Sequence, residues 1–288
     1  MKKQFLTKSV AIIILAFLFF SCKKTGEGSF SKNNELLSET EKVVVPEIQT
    51  SFVAGKMSGK GDEYNTFYGP VVQMGDGHIR SWVNISRKGG EPLAIGIEIT
   101  HKAFDHLPTD ATNFAANTFI LKLHQKAMAV TPFNHITINW EPEGHEPPGI
   151  YDVQHFDMHF YKISVADQMA ITGVPGPAPA AGYLPASYVI QAATVPQMGT
   201  HWIDPSSPEL HGSPFTHTFI YGSNNGHVHF LEPMITKAYL LSGSMVSRAI
   251  PQPMHFAPSN TYYPSTYKIW MNSDNNRHYV ALTDMNWK

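Results

Sequence analysis

Residues 145–161 read HEPPGIYDVQHFDMHFY and bring His145, His155, Asp157 and His159 into one short segment. Imidazole nitrogens and carboxylate oxygens are the donors with which proteins hold borderline divalent ions, at roughly 2.0–2.2 Å for zinc. Whether these residues can share an ion depends on the element that carries them. In an extended chain every second side chain lies on one face, so Tyr151, Val153, His155, Asp157, His159 and Tyr161 line up together. Phe156, Met158 and Phe160 fall on the other face, which reads as the core side. A helix would put His155 and His159 side by side, but the apolar–polar alternation favours a strand. On a strand the two histidines stand about 13 Å apart, so one ion takes both only if the strand bends or bulges. Otherwise the ion sits beside Asp157 with one of them.

The rest of the chain supplies further donors. Gly226-His227-Val228-His229-Phe230-Leu231-Glu232 sets two histidines ahead of a glutamate. That spacing resembles the metal-binding signature of cupin-type β-barrels, where two histidines and a glutamate converge on an ion; Pro233 and the missing flanking glycines depart from it. His201 lies in MGTHWID (198–204), and His211 and His217 flank a Ser-Pro kink. The chain has fifteen histidines and one cysteine, Cys22, so thiolate sites and internal disulfides are excluded and N/O ligation is favoured. The expected cofactor is a divalent metal ion, zinc first, with iron, manganese or copper as alternatives. His145, His155, His159 and His201 are the expected ligands, and Asp157 orients an imidazole from behind. Glu232 completes or lines the site and is the candidate general base, and His227 and His229 are alternative ligands. The competing reading is a protein that binds a metal or small molecule without turnover. A third is a hydrogen-bonded structural surface. Glu141 and Glu143, in a proline-rich stretch, read as solvated acids. No G-x-S-x-G elbow and no glycine-rich phosphate loop is present.

Strand-like runs must position these residues. VVQMGDGHIRSWVNIS (71–86), THTFIYGSNNGHVHFLEP (216–233) and YKIWMNSDNNRHYVALTDM (267–285) each read as a strand, a turn and a strand. LAIGIEIT (93–100) and HITINW (135–140) are further strands. A helix is expected over 114–129 from apolar residues spaced by three and four, and a short one over 164–172. The sum is one mainly β domain over 43–288, an antiparallel barrel or sandwich, cupin-like at most, with one or two short helices.

The N-terminus addresses the compartment. Lys2, Lys3 and Lys8 precede the apolar run VAIIILAFLFF (10–20), which ends at Ser21-Cys22. It resembles the signal peptide and lipobox of a bacterial lipoprotein, which implies cleavage after residue 21, lipidation of Cys22 and attachment to a membrane of the cell envelope. Residues 22–42 then read as a polar, flexible tether. Cleavage removes three lysines and no acid, leaving 18 basic against 23 acidic residues, and no basic run remains to attract nucleic acid. Finally, EGHEPPGIYDVQHFDMHFY, VPQMGTHWID and FIYGSNNGHVHFLEPM, in that order, resemble blocks of an uncharacterised family of secreted bacterial proteins. Its structural prototype is under extracytoplasmic-stress (sigma-E) control. The resemblance spans about Val71 to Leu241, implies a mainly β domain, and matches at His145, His155, His159, His201 and Glu232 without supplying a reaction.

Overall fold

A computed structural model describes residues 64–288, apart from the side chains of Ala192 and Ala193. The signal peptide, Cys22, the tether and the expected domain start at Val43 lie outside the described residues. In chain order the first strands are β1 (Tyr64–Tyr68), β2 (Val72–Met74), β3 (Gly77–Ser86), β4 (Pro92–Thr100), β5 (Thr118–Lys122), β6 (His135–Glu141) and β7 (His155–Tyr161). They are followed by β8 (Val189–Val195), β9 (Gly199–Ile203), β10 (His217–Asn224), β11 (His227–Thr236), β12 (Val246–Ala249), β13 (Tyr262–Asn272) and β14 (Arg277–Trp287). Three short helices punctuate them: α1 (Gln125–Val130), α2 (Val165–Met169) and α3 (Lys237–Leu241). Among the described residues no helix is long and apolar enough to cross a membrane.

The strands make two open antiparallel sheets, one ordered β1-β3-β4-β14-β13-β12 with β2 beside β3, the other β5-β6-β7-β11-β10-β9-β8. Neither closes on itself, so the fold is a sandwich and not a barrel. Period-two alternation explains the core. Ile79, Val83, Ile95, Ile97, Val280 and Leu282 of the first sheet share one buried apolar cluster with Ile136, Ile138, Trp140, Phe156, Met158, Phe160 and Leu231 of the second. The three expected hairpins form as β2–β3, β10–β11 and β13–β14.

The expected helix over 114–129 is corrected. Thr118-Phe119-Ile120-Leu121-Lys122 is the strand β5, paired with β6. Its β-branched residues suit a pleated surface, and Leu121 and Leu123, two apart, both enter the core. Helix α1 starts only after His124, whose Nδ1 accepts from the Lys126 N–H at 3.1 Å as an N-cap. The short helix after Ser164 forms as α2, capped by the Ser164 hydroxyl.

Candidate metal centres

The outer face of the second sheet carries the chemistry, and its layout follows from strand register. On β6 the polar residues of HITINWE, namely His135, Thr137, Asn139 and Glu141, face away from the core. They lie directly opposite Tyr161, His159, Asp157 and His155 of β7. On the other side of β7, β11 pairs Phe230 with Tyr161 and Met234 with Asp157, which sets Glu232 beside His159. Pro233 has no N–H to give, and the ladder between β7 and β11 is interrupted at Glu232 and Pro233. The face is not solvated: His155 and His159 are fully buried and Asp157 is 4 % exposed. Loop side chains cover it. Phe215 packs edge-on against the His155 and Tyr151 rings, and the Tyr151 hydroxyl donates to Glu209. Tyr151 and Val153 therefore belong to the covering loop, ahead of the strand that begins at His155.

Two three-residue groups of donors form on this face: His145, His155 and Asp157, and His159, His201 and Glu232. Within each, the donor atoms lie within 4.8 Å of one another. In the first group His155 Nε2 stands 3.1 Å from Asp157 Oδ1 and His145 Nε2 stands 3.4 Å from Asp157 Oδ2. Donors around a tetrahedral ion at 2.1 Å are about 3.4 Å apart, so this spacing is close to that of a coordination shell. The tautomers are set by carbonyls, which can only accept. His155 Nδ1–H donates to Val153 O at 2.6 Å and His145 Nδ1–H donates to Glu146 O at 2.7 Å. With Nδ1–H engaged behind, each Nε2 faces the carboxylate either as the second N–H of an imidazolium or as a ligand to a metal ion held between them. A backbone carbonyl behind each imidazole is also the usual support of a histidine ligand.

His145 reaches this place because the loop after β6 doubles back. Gly144 takes a left-handed conformation (φ +73°) with the Tyr151 carbonyl packed where a Cβ would stand. The next residue's N–H then donates to that carbonyl at 3.1 Å.

In the second group His159 Nε2 is 3.5 Å from Glu232 Oε1 and His201 Nε2 is 3.8 Å from Glu232 Oε2. His201 comes from β9, two strands away, and reaches across Gly222, its partner on β10. A Cβ on Gly222 would collide with the Phe230 ring, which packs against both the His159 and His201 rings at 4.7 and 5.3 Å. His159 Nε2 and Glu232 Oε2 are buried without a hydrogen-bond partner, leaving donor atoms whose lone pairs nothing satisfies.

The electrostatics of the two groups differ. Burial alone would raise the Asp157 carboxyl, but the facing imidazoles of His155 and His145 outweigh it and hold the group well below its usual range. Burial alone would lower His145, yet the bond to Asp157 and its charge win and raise it to about 9. In the second group burial dominates. It depresses His159 to about 3 and His201 to about 4, and with the charge of Asp157 it pushes Glu232 well above the usual carboxyl range. These histidines are neutral at pH 7 and need lose no proton to bind a metal. Glu232 does.

The residues named from the sequence therefore assemble, but as two groups. His155 and His159 stay on one straight strand and serve different groups, as their spacing requires, and Asp157 is a donor in the first group. His227 and His229 join neither. A bulge in β11, where Gly222 pairs with Phe230 and Ser223 with Val228, breaks the His-x-His alternation. His227 is left exposed at the strand's start, and His229 is buried against Tyr161 and Phe230. One residue was missed. Glu141, read as a solvated loop acid, is the last residue of β6, opposite His155, and burial together with the Asp157 charge raises it to about 7. The alternation of HITINWE already put it on the polar face.

Fold and site together define a two-sheet β-sandwich with paired His/carboxylate groups that can hold metal ions. No protein family, curated protein or solved structure matches the chain.

Proposed function

We propose that this is a lipid-anchored cell-envelope protein whose sandwich binds divalent metal, zinc before iron, manganese or copper, at two separate sites on one sheet face. The observation that carries the reading is the pair of Nε2 atoms aimed at Asp157 from 3.1 and 3.4 Å, each ring fixed by a carbonyl behind it. All-N/O donor sets of this composition suit zinc and its neighbours. Lipidation of Cys22 and membership of the uncharacterised sigma-E-type family are supported by the N-terminal pattern and by the three sequence blocks.

The test is elemental mass spectrometry on untagged protein beside His155→Ala and His159→Ala. Each variant is expected to lose one metal equivalent and keep the other. Metal-free protein that stays folded and takes up no zinc, or loss of both equivalents from either variant, overturns the two-site reading.

A specific difference between the groups favours catalysis at the first. Its His145 side chain is 35 % exposed, whereas His159, His201 and Glu232 are 0, 12 and 2 % exposed. Three protein donors leave a fourth position free, and only the first group offers solvent a route to it. The second group then serves as the closed, structural site. Turnover of a hydrolysable substrate that survives Glu232→Gln but not Asp157→Asn supports this reading. Zinc-loaded protein inert across ester, amide and phosphoester substrates leaves metal binding without catalysis.

A further inference from the structure

At one end of the sandwich, on the core side of the second sheet, a cavity of about 220 Å³ lies between Tyr221 and Leu231 of that sheet and Tyr263 at the start of β13. Phe256, from the segment before β13, supplies another wall. The hydroxyls of these two tyrosines are engaged elsewhere, Tyr221 donating to Pro251 O at 2.7 Å and Tyr263 to Pro258 O at 2.8 Å, and Tyr183 also lines the cavity. Tyr221 and Tyr263 present ring carbon to the cavity and no free polar atom. Exposed His227 and His255 stand at its rim.

One charged group enters this apolar space. Lys162, the residue immediately after β7, lines the cavity with its Nζ donating to Ala257 O at 2.7 Å. Nζ also stands 5.7 Å from the centre of the Tyr263 ring, and of its three N–H donors two are not used by the Ala257 carbonyl. Among the described residues that line the cavity there is no carboxylate. A cation placed against apolar walls without a counter-charge is costly, and the cost falls when an anion joins it. Lys162 is half-buried, so this cost is partial; the protein packed around it still pulls the lysine down to about 7, which an arriving anion would reverse.

The size narrows the ligand. A dry cavity of about 150 Å³ holds one benzene, so this one has room for a single ring and a short acidic side chain. We infer that the cavity is a binding site for a small monocyclic or branched apolar carboxylate, with its acid group on Lys162 Nζ and its body against Tyr221, Tyr263 and Phe256. The site is separate from the metal groups and does not rest on them.

The probes are phenylacetate and its neutral isostere phenylacetamide, titrated into the full chain after metal removal by chelation and dialysis, with binding followed by ligand-observed NMR. A charge-assisted bond predicts that the acid binds about ten- to a hundred-fold tighter than the amide. Lys162→Met keeps the apolar stem and is expected to abolish that preference while weak binding of both probes remains. Ala180→Trp, on the exposed side of the cavity, fills it without touching the lysine and is expected to exclude both. Equal binding of acid and amide, no binding of either up to about 10 mM, or a preference that survives Lys162→Met would overturn the assignment.

Discussion

Asp157→Asn tests the first donor group in metal-free protein, before any question of which ion binds. In the wild type the Asp157 carboxylate raises His145 from an ordinary value near 6.5 to about 9. A group whose folded pKa is raised contributes stability that is fully present below its unfolded pKa and is lost as pH rises through the folded one. For His145 the loss therefore runs from about pH 6.5 to beyond pH 9. Integrated from pH 7 to pH 10, a shift of this size amounts to about 2.5 kcal/mol, and partial exposure of the ring brings the expectation to about 1–2.5 kcal/mol. Lys162, held down at about 7 by burial, adds stability as pH rises over the same range, so the wild-type curve alone is uninformative. The variant shares that contribution, and the difference between the two proteins reports the groups that feel the Asp157 charge, His145 first and Glu141 beside it. Losing the Asp157 charge also lowers Glu232, which moves the difference in the same direction. The assay is thermal melting by circular dichroism in chelator, in half-unit steps from pH 7 to 10. Relative to Asp157→Asn, the wild type should lose about 2–10 °C in Tm across that range, using about 2–4 °C per kcal/mol for a domain of this size. Parallel curves would refute the argument, because they would mean that Asp157 and His145 do not share a proton in the folded state.

Other outcomes follow from the same geometry. Gly144→Ala forces a Cβ into a left-handed position against the Tyr151 carbonyl, so zinc affinity at the first group should fall by at least about tenfold, with the second group unchanged in calorimetric titration. Zinc binding at the first group must expel the proton that His145 carries at pH 7, giving a release near one proton when the binding enthalpy is compared across buffers of different ionisation enthalpy. Phe160→Ala empties a fully buried position between the sheets and should cost about 3–5 kcal/mol by denaturant unfolding, with no effect on metal stoichiometry. On the acid side, burial and the neighbouring His101 ring hold His278 at about 4, so its contribution is present above about pH 6.5 and lost as pH falls towards 4. His278→Phe should flatten that limb of the stability curve, measured by urea midpoints from pH 7 to 4.

The sequence by itself determined the face. HITINWE and HFDMHFY alternate polar and apolar residues without a break, and a pleated strand can only send the two sets to opposite sides. Burying Ile136, Ile138, Phe156, Met158 and Phe160 therefore turned His155, Asp157 and His159 onto the outer face of their strand and Glu141 onto the outer face of its own, and the pairing of β6 with β7 joined the two into one surface. The single cysteine determined the ligand chemistry in the same direct way. Local pattern misjudged 114–129, where the three- and four-residue spacing is shared by a strand and the helix that follows it, and the β-branched residues should have carried more weight.

Tertiary structure decided which residues meet. His145 depends on a left-handed glycine and a loop that folds back over β7, and nothing local in HEPPG encodes where that loop lands. His201 and Glu232 lie far from His159 in the chain, and only the strand order β7-β11-β10-β9 with a bare Gly222 between them brings the three within reach. The bulge at His229 undid the His-x-His spacing that looked most like a metal signature, because one extra residue reverses the phase of everything beyond it. Alternation is a property of each residue and its neighbours, and so it can be read along the chain. Register between distant strands is set by how the two sheets close on their common core, and it does not exist until they do.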